Sequence, residues 1–321
     1  MKVLRDPLGA DDPPRGTVLS IGNFDGVHVG HQAVLRHVRD RANELSASAA
    51  VMTFDPHPVK LLRPSAAPRL LTTLEQRLEL IAREGIDVAL VVPFTHRLSR
   101  MTATRFVHEV LADRLGIREA YIGANFRFGA DRGGDVALLT ELGRRLGFAA
   151  AAWPTVQVGG AVVSSSRVRD AVDRGEVEMA GRLLGRAPFI DGYVLEGRRI
   201  GRTLGFPTLN LEVENELRPA GGVYVTAVHV PSFERTFESV TNIGVRPTVH
   251  DSQMVTIETH VFDFSADVYR ERVRLFFLRR LRDERSFPSA EVLVEQIGAD
   301  VAAARRFFGE RDVADLGLIE P

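Results

Sequence analysis

The apolar positions of this chain change period near residue 188. Before it, short continuous apolar runs alternate with stretches in which apolar residues recur every three or four positions. Val18–Ile21, Ala50–Phe54, Val88–Val92 and Ala120–Ile122 are the runs, and each predicts a strand buried on both faces. Between and after them, four stripes fall at helical spacing: Val34, Leu35, Val38, Ala42 and Leu45; Leu74, Leu78 and Ile81; Phe106, Val107, Val110 and Leu111; and Val136, Leu139, Leu142 and Leu146. Strands alternating with helices predict a parallel sheet covered on both sides, whose ligands bind beyond the carboxyl ends of the strands. Beyond Pro188 the runs are Ile190–Leu195, Val223–Val230, Phe237–Ile243, Val255–Phe262 and Val273–Phe277, separated by Gly, Pro and Asn. These predict an antiparallel barrel or sandwich. A last helical stripe passes through Val292, Leu293, Ile297, Val301 and Phe307. The expected class is α/β plus β, with Gly185–Pro188 as linker between units 1–186 and 187–321. There is no internal repeat, and Ala149–Ala152 is too short to count as low complexity.

Composition narrows the function. A length of 321 residues, 45% hydrophobic and 26% charged, suits two soluble globular domains. No apolar run approaches the roughly 18 residues of a membrane span. The N-terminal MKVLRDPLGADDPP lacks the apolar core of a secretory signal, so a cytoplasmic protein without membrane partners is expected. There are no cysteines, which excludes disulfides, cysteine nucleophiles and thiolate metal sites. Lys2 and Lys60 are the two lysines, and neither lies in a P-loop motif, so any ATP chemistry uses another cradle. Up to Ala187, 25 basic against 21 acidic residues give +4; beyond it, 16 against 21 give −5. Neither half has the basic surplus of a nucleic-acid binder.

Two segments carry candidate chemistry. The first strand runs into GNFDGVHVGHQ, with a helix starting near Gly30. Gly22, Gly26 and Gly30 permit close backbone approach, and a helix N-terminus suits phosphate. His28 and His31 stand in that turn as hydrogen-bond donors to an anion. Glycine turns alone are common; G-x-H-x-G-H directly after a buried first strand is specific. In the second segment, GRRIGRTLGFPTLNL, Gly197, Gly201 and Gly205 recur beside three arginines. Backbone amides of such a segment reach phosphates. Thr208 and Asn210, two apart at the start of a strand, share a face and offer hard oxygen ligands for Mg²⁺.

These motifs resemble those of a known family. The H-x-G-H segment is similar to that of the nucleotidyltransferases related to class I aminoacyl-tRNA synthetases, and Val163-Ser-Ser-Ser-Arg-Val-Arg169 resembles their I-S-S-T-x-I-R motif. TFDPHP (Thr53–Pro58), PRLLT (Pro68–Thr72) and GANFRFG (Gly123–Gly129) look like the FAD synthetase module of the bacterial bifunctional riboflavin kinase/FMN adenylyltransferases. GRTLGFPTLN, GVY (Gly222–Tyr224), NIGVRPT (Asn242–Thr248), Glu258 in Ile257–His260 and LRDERSF (Leu281–Phe287) look like their riboflavin kinase module. The resemblance implies a Rossmann-like N-terminal domain and a riboflavin kinase barrel with a terminal helix.

It further implies two reactions. Riboflavin and ATP give FMN in the barrel; FMN and ATP give FAD and pyrophosphate in the sheet domain, both with Mg²⁺. His28 and His31 would steady the reacting phosphates. Gly22, Asn23, Phe24, Gly30, Ser164, Ser165, Ser166 and Arg169 would hold ATP there, and Ser164–Ser166 also reads as a helix cap. Asp55, His57, Asn125 and Arg127 would lie at the flavin or its phosphate. In the barrel, Gly201 and Gly205 would approach the phosphates of ATP and Thr208 and Asn210 the metal. Glu258 would be the base and Arg282 would lie near the flavin. Arg270 stands where the family has Gly after Tyr269, which puts that loop's shape in question. A transferase for another phosphate substrate, and a flavin-binding regulator without turnover, remain alternatives from sequence; a tRNA-binding synthetase fits the charge poorly. The oligomeric state is not legible.

Overall fold

The structure, a computed structural model, describes residues 1–196, 201, 204–247, 253–311 and 316–320. Gly197 of the glycine-arginine segment and Thr248 of NIGVRPT lie outside the described residues. The chain divides into two compact units, Met1–Arg69 with Leu74–Ser164, and Leu70–Thr73 with Ser165–Pro321.

In the first unit six strands form one sheet: β1 (Lys2–Arg5), β2 (Val18–Ile21), β3 (Ala49–Asp55), β4 (Val88–Pro93), β5 (Glu119–Gly123) and β6 (Ala149–Trp153). All pairings are parallel, in the order β1-β4-β3-β2-β5-β6. The order reverses direction at β2, so a crevice opens beside its carboxyl end. The helices are α1 (Val29–Glu44), α2 (Pro58–Leu62), α3 (Leu74–Arg83), α4 (His96–Ser99), α5 (Ala103–Arg105) and α6 (Val136–Leu146). The stripe at Phe106–Leu111 lies on a π-helical segment, Phe106–Arg114, that continues α5. Leu19, Ile21, Met52, Leu90 and Ile122 pack against Phe106, Val107, Leu111, Leu139 and Leu142. The apolar runs marked the inner strands because β2 is buried throughout and β3 as far as Phe54. The edge strands β1 and β6 escaped that test. Their residues are exposed or half-buried in no regular order, and the four alanines of β6 are weak strand formers.

Arg41 fastens the last turn of α1 to β5, donating to both carboxylate oxygens of Glu119 at 3.0 and 2.7 Å. That bond holds the Glu119 carboxyl below the usual carboxylate range. Burial, and then the 2.8 Å bond it donates to Glu119, push the Tyr121 phenol up to about 12. A small hairpin, β7 (Gln157–Val158) and β8 (Ala161–Val162), follows β6.

The second unit begins with α7 (Ser165–Asp173) and α8 (Val177–Leu184). Strands β9 (Phe189–Leu195), β10 (Leu209–Val213), β11 (Gly222–Val230), β12 (Arg235–Pro247), β13 (Gln253–Val261) and β14 (Arg272–Arg282) follow, then α9 (Ala290–Gly309). The strands close in the order β10-β13-β12-β11-β14-β9, so the sheet is a barrel, not a sandwich. Tyr224, Val228, Ile243, Ile257, Leu275 and Phe277 fill its inside. Alternate residues Val223, Val225 and Val240 point outward and bury Ala304, Phe307 and Phe308 of α9, the period-two pattern of a barrel wall. Four hydroxyls inside, on Thr226, Ser239, Thr241 and Thr259, satisfy one another at 2.7–2.9 Å. At the β9–β14 seam the buried Arg274 grips its cross-strand partner Asp191 at 2.7 and 2.9 Å and lies 4.0 Å over the Phe189 ring.

The loop with Arg270 in place of Gly keeps a glycine-like backbone. Arg270 has φ +65°, and its N–H donates to Val194 O at 2.8 Å. An L-residue there costs roughly 1–2 kcal/mol, while its side chain is exposed. Arg270→Gly is therefore expected to raise stability by about 0.5–1 kcal/mol, after the loss of chain entropy is counted; a shift in the urea midpoint measures it.

Candidate functional site

In the first unit the sequence-predicted residues gather at the carboxyl ends of β2, β3 and β5. The turn after β2 is strained. Phe24, Gly26 and Val27 have φ of +50°, +79° and +38°, and a β-branched residue in that region is a true outlier. Such strain persists where the surroundings fix it, and clusters at functional sites. Here Phe24 is buried, with its ring edge-on to His31 at 5.2 Å. His28 caps α1, its Nδ1 accepting from the His31 N–H at 3.2 Å, and the two imidazoles stack at 3.7 Å and 12°. Gly30 permits this: a Cβ there would sit 3.2 Å from the His28 ring. Two imidazoles thus stand at the positive end of a sixteen-residue helix, where an anion gains from dipole and donors together.

Behind the turn runs a line of buried polar groups that sequence reading missed. Arg77, 1% exposed, donates to Thr53 Oγ1 at 3.3 Å; Thr53 donates to Asn23 O at 3.2 Å. The Asn23 side chain meets His57 Nε2 at 3.1 Å, and His57 Nδ1 accepts the Val59 N–H at 3.3 Å as the cap of α2. Asp55 ends β3 with an exposed side chain. Asn125 and Arg127 are exposed after β5, Arg127 lying 3.6 Å from Asp135. Phe126 and Phe128 between them pack on the core. Gly129, at φ +74°, seats this loop on α5: a Cβ would lie 2.4 Å from Ala103 N. Ser164 ends the first unit, whereas Ser165, Ser166 and Arg169 lie on α7 of the second, Arg169 half-buried.

In the second unit the predicted residues converge on one cavity of about 390 Å³. It lies between the outer barrel wall and α9. Gly201, Thr208, Asn210, Glu258 and Arg282 all line it. Asn210 stands directly opposite Glu258 across β10 and β13, and Asn242 opposite Glu258 across β12. Direct partners project on the same face, so three polar side chains form one row. Gly201 cannot carry a side chain: a Cβ would be 2.4 Å from Phe206 O and 3.2 Å from Thr208 Oγ1. Gly205, at φ +84°, faces open space and meets only the backbone requirement. Leu293 and Ile297 of α9 supply an apolar wall, and Phe206, Phe287, His260 and Glu284 complete the lining. A second cavity of about 210 Å³, lined by Leu209, Phe264, Val268, Tyr269 and Asp267 among others, shares Thr208 with the first.

Comparison with known proteins decides the family. The chain is 41% identical over 291 residues to a bifunctional riboflavin kinase/FMN adenylyltransferase of Pseudomonas fluorescens, covering 91% of this chain and 93% of that one. It belongs to the bifunctional riboflavin kinase/FMN adenylyltransferase family. The Escherichia coli (strain K12) member is 37% identical over 310 residues, 96% of this chain and 98% of its own. Residues 10–167 match the FAD synthetase family and 184–308 the riboflavin kinase family. A crystal structure described as a macrolide-efflux protein from Streptococcus pneumoniae superposes with a TM-score of 0.84 at 27% identity, over 95% of this chain and 99% of that chain. Among the described residues, no helix is long and apolar enough to cross a membrane.

A second protein group holds the charge of Arg282. It donates to Asp300 on α9 through Nε and Nη2 at 2.8–3.1 Å, and to Asp283 O at 3.0 Å. Asp300 is 6% exposed and also accepts from Gln296. Sequence reading had no signal for Asp300, since an acidic residue on a helix is ordinarily a solvated one. Removing it leaves a largely covered guanidinium without its carboxylate. Asp300→Ala is expected to cost about 2 kcal/mol, the range of a hydrogen bond to a charged group, seen as a lower denaturant midpoint.

Proposed function

We propose that this chain makes FAD in two ATP-consuming steps, each in its own part of the chain. Residues 187–321 phosphorylate riboflavin and residues 1–186 adenylylate the FMN formed. The observation that carries the reading is the row Asn210–Glu258–Asn242 in a cavity that also holds Thr208. A carboxylate, an amide and a hydroxyl are what a phosphoryl transfer from ATP to an alcohol requires.

In the first step riboflavin occupies the larger cavity, its ring against Leu293 and Ile297. ATP lies toward the smaller one, its phosphates at Thr208. Glu258 accepts the proton of the ribityl 5′-hydroxyl as that oxygen bonds to the γ-phosphorus and the bond to the ADP oxygen breaks. Arg282, held by Asp300, borders the flavin without giving up its partner. A kinase and adenylyltransferase using ATP work with a divalent metal, and we assign Mg²⁺. The donor set fits: Thr208 and Asn210, both lining the cavity, offer hard oxygens of the kind Mg²⁺ takes alongside phosphates. The metal supplies charge neutralisation on the phosphate oxygens.

In the second step an FMN phosphate oxygen attacks the α-phosphorus of ATP and pyrophosphate leaves. His28 and His31 donate hydrogen bonds to the phosphates at the start of α1. Asn23 lies in the same loop, held by Thr53 and His57. Ser164–Ser166, Arg169, Asp55, Asn125 and Arg127 are assigned to ATP and FMN by resemblance. No protein nucleophile is needed; the gain comes from position and electrostatics. ATP as co-substrate of both steps supports a cytoplasmic placement.

Incubating the protein with riboflavin, ATP and Mg²⁺ and separating the flavins tests the whole reading. His31→Ala is expected to slow FAD formation by about 10²–10³ and leave FMN formation intact. Glu258→Ala should slow FMN formation by about 10²–10⁴, while supplied FMN still becomes FAD. Equal loss of both steps in either variant contradicts the assignment.

A further inference from the structure

Thr208 lies one residue beyond the paired backbone. The ladder between β10 and β13 consists of Leu209 opposite Thr259 and Asn210 opposite Glu258. The next pair in that register would be Thr208 with His260, and no ladder pairing is made there. Just before Thr208 is Pro207, which has no N–H to offer a neighbouring strand. Beside the Phe206 N–H bond to Gly201 O at 2.8 Å, a side chain holds this end of the segment: His260 Nδ1 donates to Pro207 O at 2.8 Å. The same imidazole lies edge-on to Phe206 at 5.5 Å and to Phe262 at 5.8 Å, so its ring is wedged between aromatic neighbours. His260 also lines the cavity, two residues from Glu258 on the same strand face.

We infer that His260 is a positioning residue of the riboflavin-phosphorylating site: its Nδ1–H replaces the missing rung of the ladder and fixes Thr208 toward metal-bound phosphate. The inference rests on the function proposed above. Because Nδ1 donates, the neutral ring leaves Nε2 as an acceptor; that nitrogen is not the one at work. His260 acts on the phosphates through Pro207 and Thr208, as groups behind a metal ligand orient the ligand itself.

The two ring nitrogens can be separated by substitution. An asparagine side chain places an amide N–H near the position of Nδ1; a glutamine places one near Nε2. His260→Asn should retain riboflavin phosphorylation within about threefold. His260→Gln and His260→Leu should lose about 10–100-fold in kcat/KM, the range for groups that orient a metal ligand, with a higher Mg²⁺ concentration needed for half-maximal rate. FMN adenylylation by the same preparations should be unchanged and reports that the chain is folded. Rescue by Gln but not Asn would overturn the inference in favour of direct contact through Nε2. Equal loss in all three variants, or loss in none, would overturn it as well. Failure of the wild-type chain to phosphorylate riboflavin would instead overturn the underlying assignment.

Discussion

The register between β10 and β13 is the constraint on which the kinase half depends. Strand side chains alternate, so the pairing that puts Asn210 opposite Glu258 also sends Leu211 and Ile257 into the barrel. A slip of one residue would bury a carboxylate and an amide among Ile243, Val194 and Tyr224 and push the apolar set outward. The cost of burying an unpaired charge makes that alternative inaccessible. Fold stability and the alignment of the polar row in the cavity are therefore one requirement. Barrel closure reinforces it, because each strand is paired on both sides and none can shift alone. The Asp191–Arg274 pair pins the β9–β14 seam.

The adenylylating half solves a similar problem with a loop. Its histidines are fixed by a helix start, by their mutual stacking and by a strained turn. Left-handed backbone at Phe24 and Val27 is unfavourable alone. It is held by the buried Phe24 ring and by the Thr53 and Arg77 hydroxyl and guanidinium behind Asn23. Side chains fixed in this way are aimed before any ligand arrives, as the proposed adenylylation requires of its phosphate donors.

His57 and Arg282 are motif residues that also engage other protein groups. Sequence reading assigned both to the flavin. His57 uses its two ring nitrogens on Val59 and Asn23, and Arg282 spends its fork on Asp300. Arg282 thereby forms part of the cavity wall. Arg270 is the converse: an unusual residue at a family glycine position, yet the backbone keeps the left-handed turn, because Val194 O still receives its N–H.

The inner strands, the long helices, the two-part architecture and the family motifs were legible in the amino-acid order. Burial on both faces leaves continuous apolar runs, and the chemistry sits in short contiguous segments such as GNFDGVHVGHQ and GFPTLN. Edge strands β1 and β6 were not legible, since half-exposed alanines and mixed residues carry no periodic signal. Periodicity alone left barrel and sandwich open, because the choice depends on β9 meeting β10; the resemblance to riboflavin kinases implied the barrel, and the sheet closes as one. Only the folded chain brought His260 to Pro207, Asp300 to Arg282 and Arg77 to Thr53. These contacts join residues 18 to 53 positions apart, and no local rule of sequence links side chains that meet only when strands and helices pack.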